Sequence, residues 1–200
     1  MDRVIRRCIE DSINLKRRIL NDDLEIKKIE EIANVLCCAL EKKGKILLCG
    51  NGGSASDALH IAAEFVGRFQ KERMAYPAIA LNADMASVTA IANDYGYDMV
   101  FARAVEGYMQ KNDILIGIST SGNSVNVYEA IKKAKEMGSL TIALLGKDGG
   151  SIKELADFSI VIPCNNTARI QECHILIGHI LCELVEDKVQ NLKSSKEGSL

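Results

Sequence analysis

The sequence predicts an α/β fold in which one parallel five-stranded sheet is flanked by helices and preceded by a helical pair. Five short apolar segments alternate with longer amphipathic segments along most of the chain. The short segments are almost unbroken by polar residues, which is typical of strands buried on both faces of a sheet. Alternation of strand and helix gives a parallel sheet with helices on both sides.

The elements can be placed in order along the chain. Apolar residues at helical spacing predict two N-terminal helices near residues 3–20 and 24–43. The predicted strands are Lys45–Cys49, Pro77–Leu81, Asp113–Ile118, Leu140–Leu145 and Phe158–Ile162. The predicted helices between and after them lie near residues 54–69, 84–92, 98–110, 124–137, 151–156 and 168–190. No repeat or linker interrupts this order, so we expect a single domain over residues 1–200, made of the helical pair (1–43) and an α/β core (44–190).

The composition narrows the class of protein. The 200 residues are 48% hydrophobic and 26% charged, as in soluble globular proteins. A net charge of −2 argues against a broad surface for nucleic acid or anionic membrane. No signal peptide or membrane-spanning segment stands out, and the seven cysteines have apolar neighbours without metal or redox spacing. We therefore expect a cytoplasmic protein with reduced, buried thiols that binds neither nucleic acid nor membrane.

Two loops that follow predicted strands have the composition of phosphate-binding loops. The glycine loop (residues 50–56) reads GNGGSAS, and the serine loop (residues 119–124) reads STSGNS. Ligands of parallel sheets bind beyond the carboxyl ends of the strands, and each loop leads into a helix whose free N–H groups attract an anion. The hydroxyl groups of the serine loop can add hydrogen bonds. Neither loop has the Gly-Lys-Ser/Thr of a nucleoside-triphosphate loop, so the composition favours a single phosphate monoester.

Each loop also has an alternative interpretation. Ser124 has the position of a helix N-cap, which explains one serine but not three consecutive hydroxyl residues before a glycine. The Gly50-x-Gly52-x-x-Ala55 spacing fits a dinucleotide-binding fingerprint. That fingerprint expects an acidic residue about 20 positions further on. The candidate at the right place, Asp84, comes thirty-four positions after Gly50, which weakens the dinucleotide alternative.

Histidine and glutamate side chains are the candidates for catalysis and metal binding. His60 and Glu64 lie four residues apart on one face of an apolar helix, so both need a partner. A divalent metal would satisfy both, and a local His–Glu pair is the alternative. The last predicted helix carries the other two histidines, His174 and His179, about 140° apart round the helix. One face of this helix therefore cannot present both histidines to a site. For either histidine, the alternative is a structural role.

Five runs of the sequence together resemble the phosphoheptose isomerase family, whose members have a sugar isomerase (SIS) fold. They are LLCGNGGSASDALHIAAEFVGRF, PAIALNADMASVTAIANDYGYDMVFARAV, GISTSGNS, LLGKDGG and ARIQECHILIGHILCELVE, in the family's order and spacing. The resemblance implies an enzyme that interconverts sedoheptulose 7-phosphate and glycero-manno-heptose 7-phosphate. This is the first step towards nucleotide-activated heptose for lipopolysaccharide or other surface glycans. It also implies a homotetramer that the N-terminal helices help to assemble.

The resemblance further implies the site residues. Glu64 and His179 would be the base and the acid. The metal ligands, usually of zinc, would be His60, Glu64, Gln171 and His179. The substrate contacts would be Asn51, Gly52, Gly53, Ser54, Glu64, Asn93, Asp94, Ser119, Thr120, Ser121, Ser124 and Gln171. For the pair at 93 and 94, which follows an apolar segment, a turn is the alternative explanation. Ala168 departs from the family, some of whose members have aspartate there, which puts one polar contact in doubt.

Two other functions share this fold and keep the interpretation open. Regulators of replication initiation resemble the same sequence but act as non-catalytic tetrameric scaffolds. They lack the acidic residue corresponding to Glu64 and the histidine corresponding to His179, and their STSGNS run is disrupted. All three features are intact here, which favours an enzyme. The second alternative is an isomerase of another sugar phosphate, such as a pentose phosphate.

The spacing of Gln171 and His179 predicts a site shared between chains. Eight residues on one helix separate them by about 12 Å along the axis and about 80° round it. Metal–ligand bonds are about 2 Å long, so one helix brings both to one ion only with strained reach. If both serve one site, neighbouring protomers supply them more easily. The alternatives are that only one of the two is a ligand, or that the helix breaks near Gly178.

Overall fold

A computed structural model describes the chain over residues 1–197, with side chains described over residues 1–189. The strands are β1 Ile46–Gly50, β2 Ala78–Ala80, β3 Ile114–Ser119, β4 Leu140–Gly146 and β5 Phe158–Ile162. The helices are α1 Asp2–Leu20, α2 Asp23–Glu41, α3 Gly53–Val66, α4 Met85–Tyr95, α5 Val100–Tyr108, α6 Val125–Glu136, α7 Gly150–Leu155 and α8 Thr167–Glu197. A short 3₁₀ turn, Tyr97–Met99, joins α4 to α5.

The five strands form one parallel sheet in the order β2-β1-β3-β4-β5. The predicted α/β class, the strand count and the N-terminal helical pair are therefore confirmed. The order reverses between β1 and β3, because β2 lies on one side of β1 and β3 on the other. Gly50, the last residue of β1, pairs with Ile118 of β3, so the glycine and serine loops leave the sheet side by side. Ligands of open parallel sheets bind at such a reversal.

Two hydrophobic clusters cover the two faces of the sheet. Alternate residues of β1 belong to different clusters: Ile46 and Leu48 face α2, α3 and α8, while Leu47 and Cys49 face α5 and α6. The three central strands are buried along nearly their whole length, which is why they read as unbroken apolar runs. The edge strands β2 and β5 are only partly buried.

Helices α3 and α8 lie against each other in parallel. The side chain of Gln171 lies against Gly53, and Gly178 lies against Ile61, so contacts follow the same order along both helices. A Cβ atom at position 178 would come within 2.5 Å of the Cδ1 atom of Ile61. Glycine at this position therefore allows the close approach of the helices that carry the candidate residues. Helix α8 continues through Gly178, so the alternative of a broken helix is wrong.

Some predicted boundaries and environments are corrected. Helix α4 extends to Tyr95, so positions 93 and 94 lie in its last turn rather than in a separate turn. Helix α3 ends at Val66, three residues before the predicted end, because the chain leaves it at Gly67. All seven cysteines are free thiols, but only four are buried, because two lie at half-buried positions and Cys38 is exposed on α2. Within the described residues, no helix is both long and apolar enough to cross a membrane.

Candidate active site

The serine loop gathers its hydroxyl groups at the carboxyl end of β3. The Oγ atom of Ser119 lies 2.9 Å from that of Ser124 and 3.4 Å from that of Ser121. Ser124 occupies the N-cap position of α6, yet its side chain makes no capping hydrogen bond. The capping alternative therefore does not account for this hydroxyl, which joins the others at the start of a helix. Three hydroxyl groups beside helical N–H groups form a cradle suited to a phosphate.

The loop after β4 and the first turn of α7 hold the serine loop in place. The backbone N–H of Ile152 donates to the carbonyl of Gly122 at 3.1 Å, and that of Ser151 donates to Oδ1 of Asn123 at 3.0 Å. At Gly122 (φ 67°), a Cβ atom would come within 2.0 Å of the carbonyl oxygen of Gly149. The two loops are therefore too close for any side chain at this position. This contact explains why the LLGKDGG run accompanies the STSGNS run.

The glycine loop is tied to the serine loop through a pair of asparagines. Nδ2 of Asn51 donates to Oδ1 of Asn126 at 2.7 Å, and Nδ2 of Asn126 donates back to Oδ1 of Asn51 at 2.9 Å. The hydroxyl of Tyr97 donates to the same Oδ1 atom at 2.9 Å. Sequence reasoning missed Asn126 and Tyr97. The available signal was a second asparagine two residues after the serine loop. In the structure Asn126 is 3% exposed, on a helix whose other buried residues are apolar.

The start of α3 places the remaining candidates of the glycine loop. Gly52 has φ 54°, in the left-handed region that favours glycine. Ser54 is buried in the first turn of α3, where its N–H donates to the carbonyl of Asn51. The side-chain amide of Gln171 lies so close to Gly53 that a Cβ atom there would come within 2.2 Å of its Nε2 atom. Gln171 therefore lies against the glycine loop of its own chain.

Three further candidate residues, Asp84, Asn93 and Asp94, lie at the two ends of α4. Asn93 and Asp94 are exposed on α4 and contact each other, with Nδ2 of Asn93 2.8 Å from Oδ1 of Asp94. The segment that follows reaches the glycine loop through Tyr97. Asp84, the acidic residue of the dinucleotide alternative, instead caps α4, because its carboxylate accepts the N–H groups of the first turn at 3.1 and 3.2 Å.

Helices α3 and α8 bring three candidate metal ligands together. Nε2 of His60 lies 3.1 Å from Oε1 of Glu64 and 3.1 Å from Nε2 of His179. One ligand atom from each residue lies within 4.8 Å of the others. We call these three residues the His–Glu–His cluster. His60 is exposed and the other two are half-buried, so a ligand can reach them from solvent.

Two further ionisable side chains lie near these elements. Burial raises the pKa of the Asp57 carboxyl to about 6, against the opposing attraction of His60, and its Oδ2 atom has no hydrogen-bond partner. Sequence reasoning did not single out this residue. His174 is fully buried, and one ring nitrogen lies 2.9 Å from the carbonyl oxygen of Leu145. Burial lowers the pKa of His174 to about 4, so it is the structural histidine of the three.

The phosphate cradle and the His–Glu–His cluster lie at different heights along α3. Glu64 is eleven residues beyond Gly53, which corresponds to about 16 Å along the helix axis. Gln171 lies against Gly53 at the beginning of α3. His179 lies against His60, which is seven residues beyond Gly53. Of the four predicted metal ligands, one chain therefore brings together three. Gln171 stays with the glycine loop.

Comparisons with known proteins agree on one family. The SIS domain family profile matches residues 9–146. A phosphoheptose isomerase from a Nitratiruptor species is 62% identical over 156 residues, covering 78% of this chain and 83% of that protein. One from Clostridium acetobutylicum is 49% identical over 189 residues, covering 94% and 96%. The solved structure of a phosphoheptose isomerase from Neisseria gonorrhoeae superposes with a TM-score of 0.86 at 42% identity, covering 93% of this chain and 98% of that one.

Proposed function

The chain belongs to the phosphoheptose isomerase family of SIS-domain proteins, and from this membership we propose that it is an aldose–ketose isomerase of sedoheptulose 7-phosphate. The product would be glycero-manno-heptose 7-phosphate. The observation that carries the proposal is the convergence of Glu64 and His179 in one cluster, on a chain that also has two loops suited to a phosphate at the carboxyl ends of its strands. The alternative function is that of a non-catalytic scaffold. The scaffold proteins that this sequence resembles lack both residues, whereas this chain retains them.

The cluster offers the two groups that this isomerisation requires. A proton moves between C1 and C2 through an enediol, so a base must face the carbon and an acid must face the C2 oxygen. We propose that the carboxylate of Glu64 takes the proton from the carbon and that His179 is the acid that faces the C2 oxygen. Their neighbour His60 contacts both, which holds the two groups within reach of adjacent substrate atoms.

We propose that the cluster also holds one divalent metal, which by ligand type would be zinc. Two histidine nitrogens and a carboxylate oxygen within 4.8 Å of one another fit three-ligand catalytic zinc sites, in which the fourth position stays open. When bound, zinc would polarise the substrate carbonyl oxygen. Gln171, which lies elsewhere in this chain, would complete the predicted set of ligands from a neighbouring protomer.

Zinc analysis tests the metal proposal. We expect about one zinc per chain after purification without chelator, and a loss of both zinc and turnover after dialysis against a chelator. His60→Ala should remove zinc, whereas His174→Gln, which changes a buried structural histidine, should retain it if it folds. Undiminished turnover by metal-free protein would leave the cluster as a local hydrogen-bonded group.

Incubation with sedoheptulose 7-phosphate, followed by NMR, tests the function itself. We expect the aldose signals of the heptose phosphate to appear and to reach equilibrium with those of the ketose. A pentose phosphate assayed in parallel separates the alternative isomerase. Turnover of the pentose alone would assign the site to another sugar phosphate, and turnover of neither would favour the scaffold.

The serine loop predicts an effect on substrate affinity. Ser121→Ala with Ser124→Ala should raise KM at least about 100-fold, because hydrogen bonds to a charged phosphate contribute about 1.5–3 kcal/mol each and two of them are removed. The phosphate is held equally in the ground and transition states, so kcat should change much less. Ser159→Ala is a matched control, since that hydroxyl bonds the carbonyl of Lys153 instead. An unchanged KM would mean that the phosphate binds elsewhere.

We propose a homotetramer in which residues 1–43 take part in assembly. Five apolar side chains of α1 are exposed, and they are Val4, Ile5, Ile9, Ile13 and Leu20. Several recur at intervals of four, so they form a stripe along one side of the helix. The only buried residue of α1 is Leu15, so most of its apolar surface has no partner in the described part of the chain. A second copy of the chain would cover this stripe, as expected for the family.

The remaining proposals concern the setting of the enzyme. We propose that it acts in the cytoplasm, at the first step towards nucleotide-activated heptose for lipopolysaccharide or other surface glycans. Its partners would be a sugar phosphate and further copies of itself, with no nucleic acid or membrane. The net charge of −2 supports this proposal, since a nucleic-acid or anionic-membrane surface is usually strongly basic.

A further inference from the structure

A buried carboxylate on α8 binds the loop that follows α3. Glu186, whose side chain is 1% exposed, accepts the backbone N–H groups of three consecutive residues. The donors are Phe69 at 3.2 Å, Gln70 at 2.8 Å and Lys71 at 2.8 Å. Both carboxylate oxygens are used. Such a set of contacts fixes the path of residues 67–74, which we call the clamp loop.

Arg73 joins the clamp loop to the end of α3. Its Nε atom donates to Glu186 at 2.8 Å, and its side chain is 3% exposed. Its terminal nitrogens donate to the backbone carbonyls of Glu64 at 2.8 Å and Phe65 at 2.9 Å. The guanidinium also lies over the ring of Tyr76, 4.0 Å from its centroid. One arginine therefore binds two of the carbonyl groups in the last turn of the helix that carries Glu64.

The charge state of this pair is well defined. Burial alone would raise the pKa of Glu186, but the three backbone N–H groups and Arg73 outweigh it and hold the pKa below its usual value. Buried ion pairs are often no more stabilising than apolar residues of the same size, because desolvation offsets the attraction. What this pair provides is a set of hydrogen bonds that tie the clamp loop to α8.

The clamp loop contacts the His–Glu–His cluster at two points. The ring of Phe69 stacks on that of His179, with centroids 5.5 Å apart and planes inclined by 26°. At the other point, Arg73 binds the backbone of Glu64. Glu186 itself lies seven residues beyond His179 on α8, about two helical turns. The clamp therefore reaches both residues proposed for acid–base chemistry.

We propose that Glu186 and Arg73 are positioning residues, which hold Phe69 against His179 and fix the end of α3 that carries Glu64. This inference rests on the proposed function of the cluster. Groups that orient the ligands of a metal change its affinity about 10- to 100-fold when they are removed. The clamp supplies such support through a loop, which places the ring of Phe69 against that of His179.

Glu186→Gln is the first test. One carboxylate oxygen becomes an NH₂ group that faces backbone N–H donors, and Arg73 loses its counter-charge, so the clamp loop should shift. We expect zinc to dissociate about 10- to 100-fold more readily, as measured by competition with a chelating dye. The chain has only three histidines, so the ring protons of His179 can be assigned in a ¹H–¹³C spectrum with His179→Gln. They should move in Glu186→Gln, because the shielding by Phe69 changes, while those of His174 stay in place.

Two further variants complete the test. Lys71→Met removes the exposed ion pair of the same loop with Asp187 and should leave zinc affinity and His179 unchanged. Phe69→Leu leaves the clamp intact and should weaken zinc binding, which covers the case in which Glu186→Gln fails to fold. Wild-type zinc affinity in folded Glu186→Gln and in folded Phe69→Leu, with unmoved His179 signals in Glu186→Gln, would overturn the proposal. If the wild-type protein binds no zinc but the His179 signals move, positioning stands and the metal assignment alone fails.

Discussion

Glu64→Gln should lower kcat by at least about a hundredfold, the lower range for removal of a general base. The amide keeps the size of the carboxylate and can still contact His60, but it cannot accept the proton that leaves the sugar. Turnover of sedoheptulose 7-phosphate by NMR measures the effect. Glu154→Gln makes the same chemical change at an exposed position of α7 and should leave kcat unchanged.

Zinc content separates the two roles that Glu64 could have in this variant. If Glu64→Gln retains zinc and loses turnover, the carboxylate acts as the base. If zinc is lost together with turnover, Glu64 is needed as a ligand, and a second variant must isolate the proton transfer. Full activity of Glu64→Gln would remove the base assignment and, with it, the main argument for the cluster as the reacting centre.

The sheet could be predicted from the sequence because its signal is local. The central strands β1, β3 and β4 are buried on both faces, so each reads as a continuous apolar run flanked by polar or glycine residues. The phosphate loops could be found for the same reason, since their residues are consecutive. Boundaries were harder to place where an element ends on a weak signal. For Asn93 and Asp94 a turn was the alternative to a binding role, yet α4 continues until Gly96 ends it.

Other parts of the site could not be predicted because they depend on contacts between distant residues. The pairing of Asn51 with Asn126 joins positions seventy-five residues apart, and Glu186 contacts a loop more than a hundred residues before it. In the sequence, Glu186 reads as one more charged residue in the EDK segment that follows the apolar part of α8. Its burial follows only from the packing of α8 on α3, which depends on glycine at position 178.

The packing of α3 and α8 sharpens the prediction of a shared site. The two helices run in parallel and hold Gln171 against Gly53 and His179 against His60. One ion cannot bind both side chains within a chain that keeps this packing, because the two lie about 12 Å apart along α8. If both are required at one site, the phosphate end of one protomer must face the His–Glu–His cluster of another.

Co-expression of Gln171→Ala with His179→Ala tests this arrangement, provided that each variant alone is inactive and still assembles. Different affinity tags on the two chains isolate mixed oligomers. With random mixing, about a quarter of the shared sites would receive both intact residues, so about a quarter of wild-type turnover should return. Mixed oligomers of two differently tagged Gln171→Ala chains are the control and should stay inactive. If the mixed oligomers of the two variants stay inactive as well, each site is built within one chain, and Gln171 acts there at the phosphate end rather than as a ligand of the cluster.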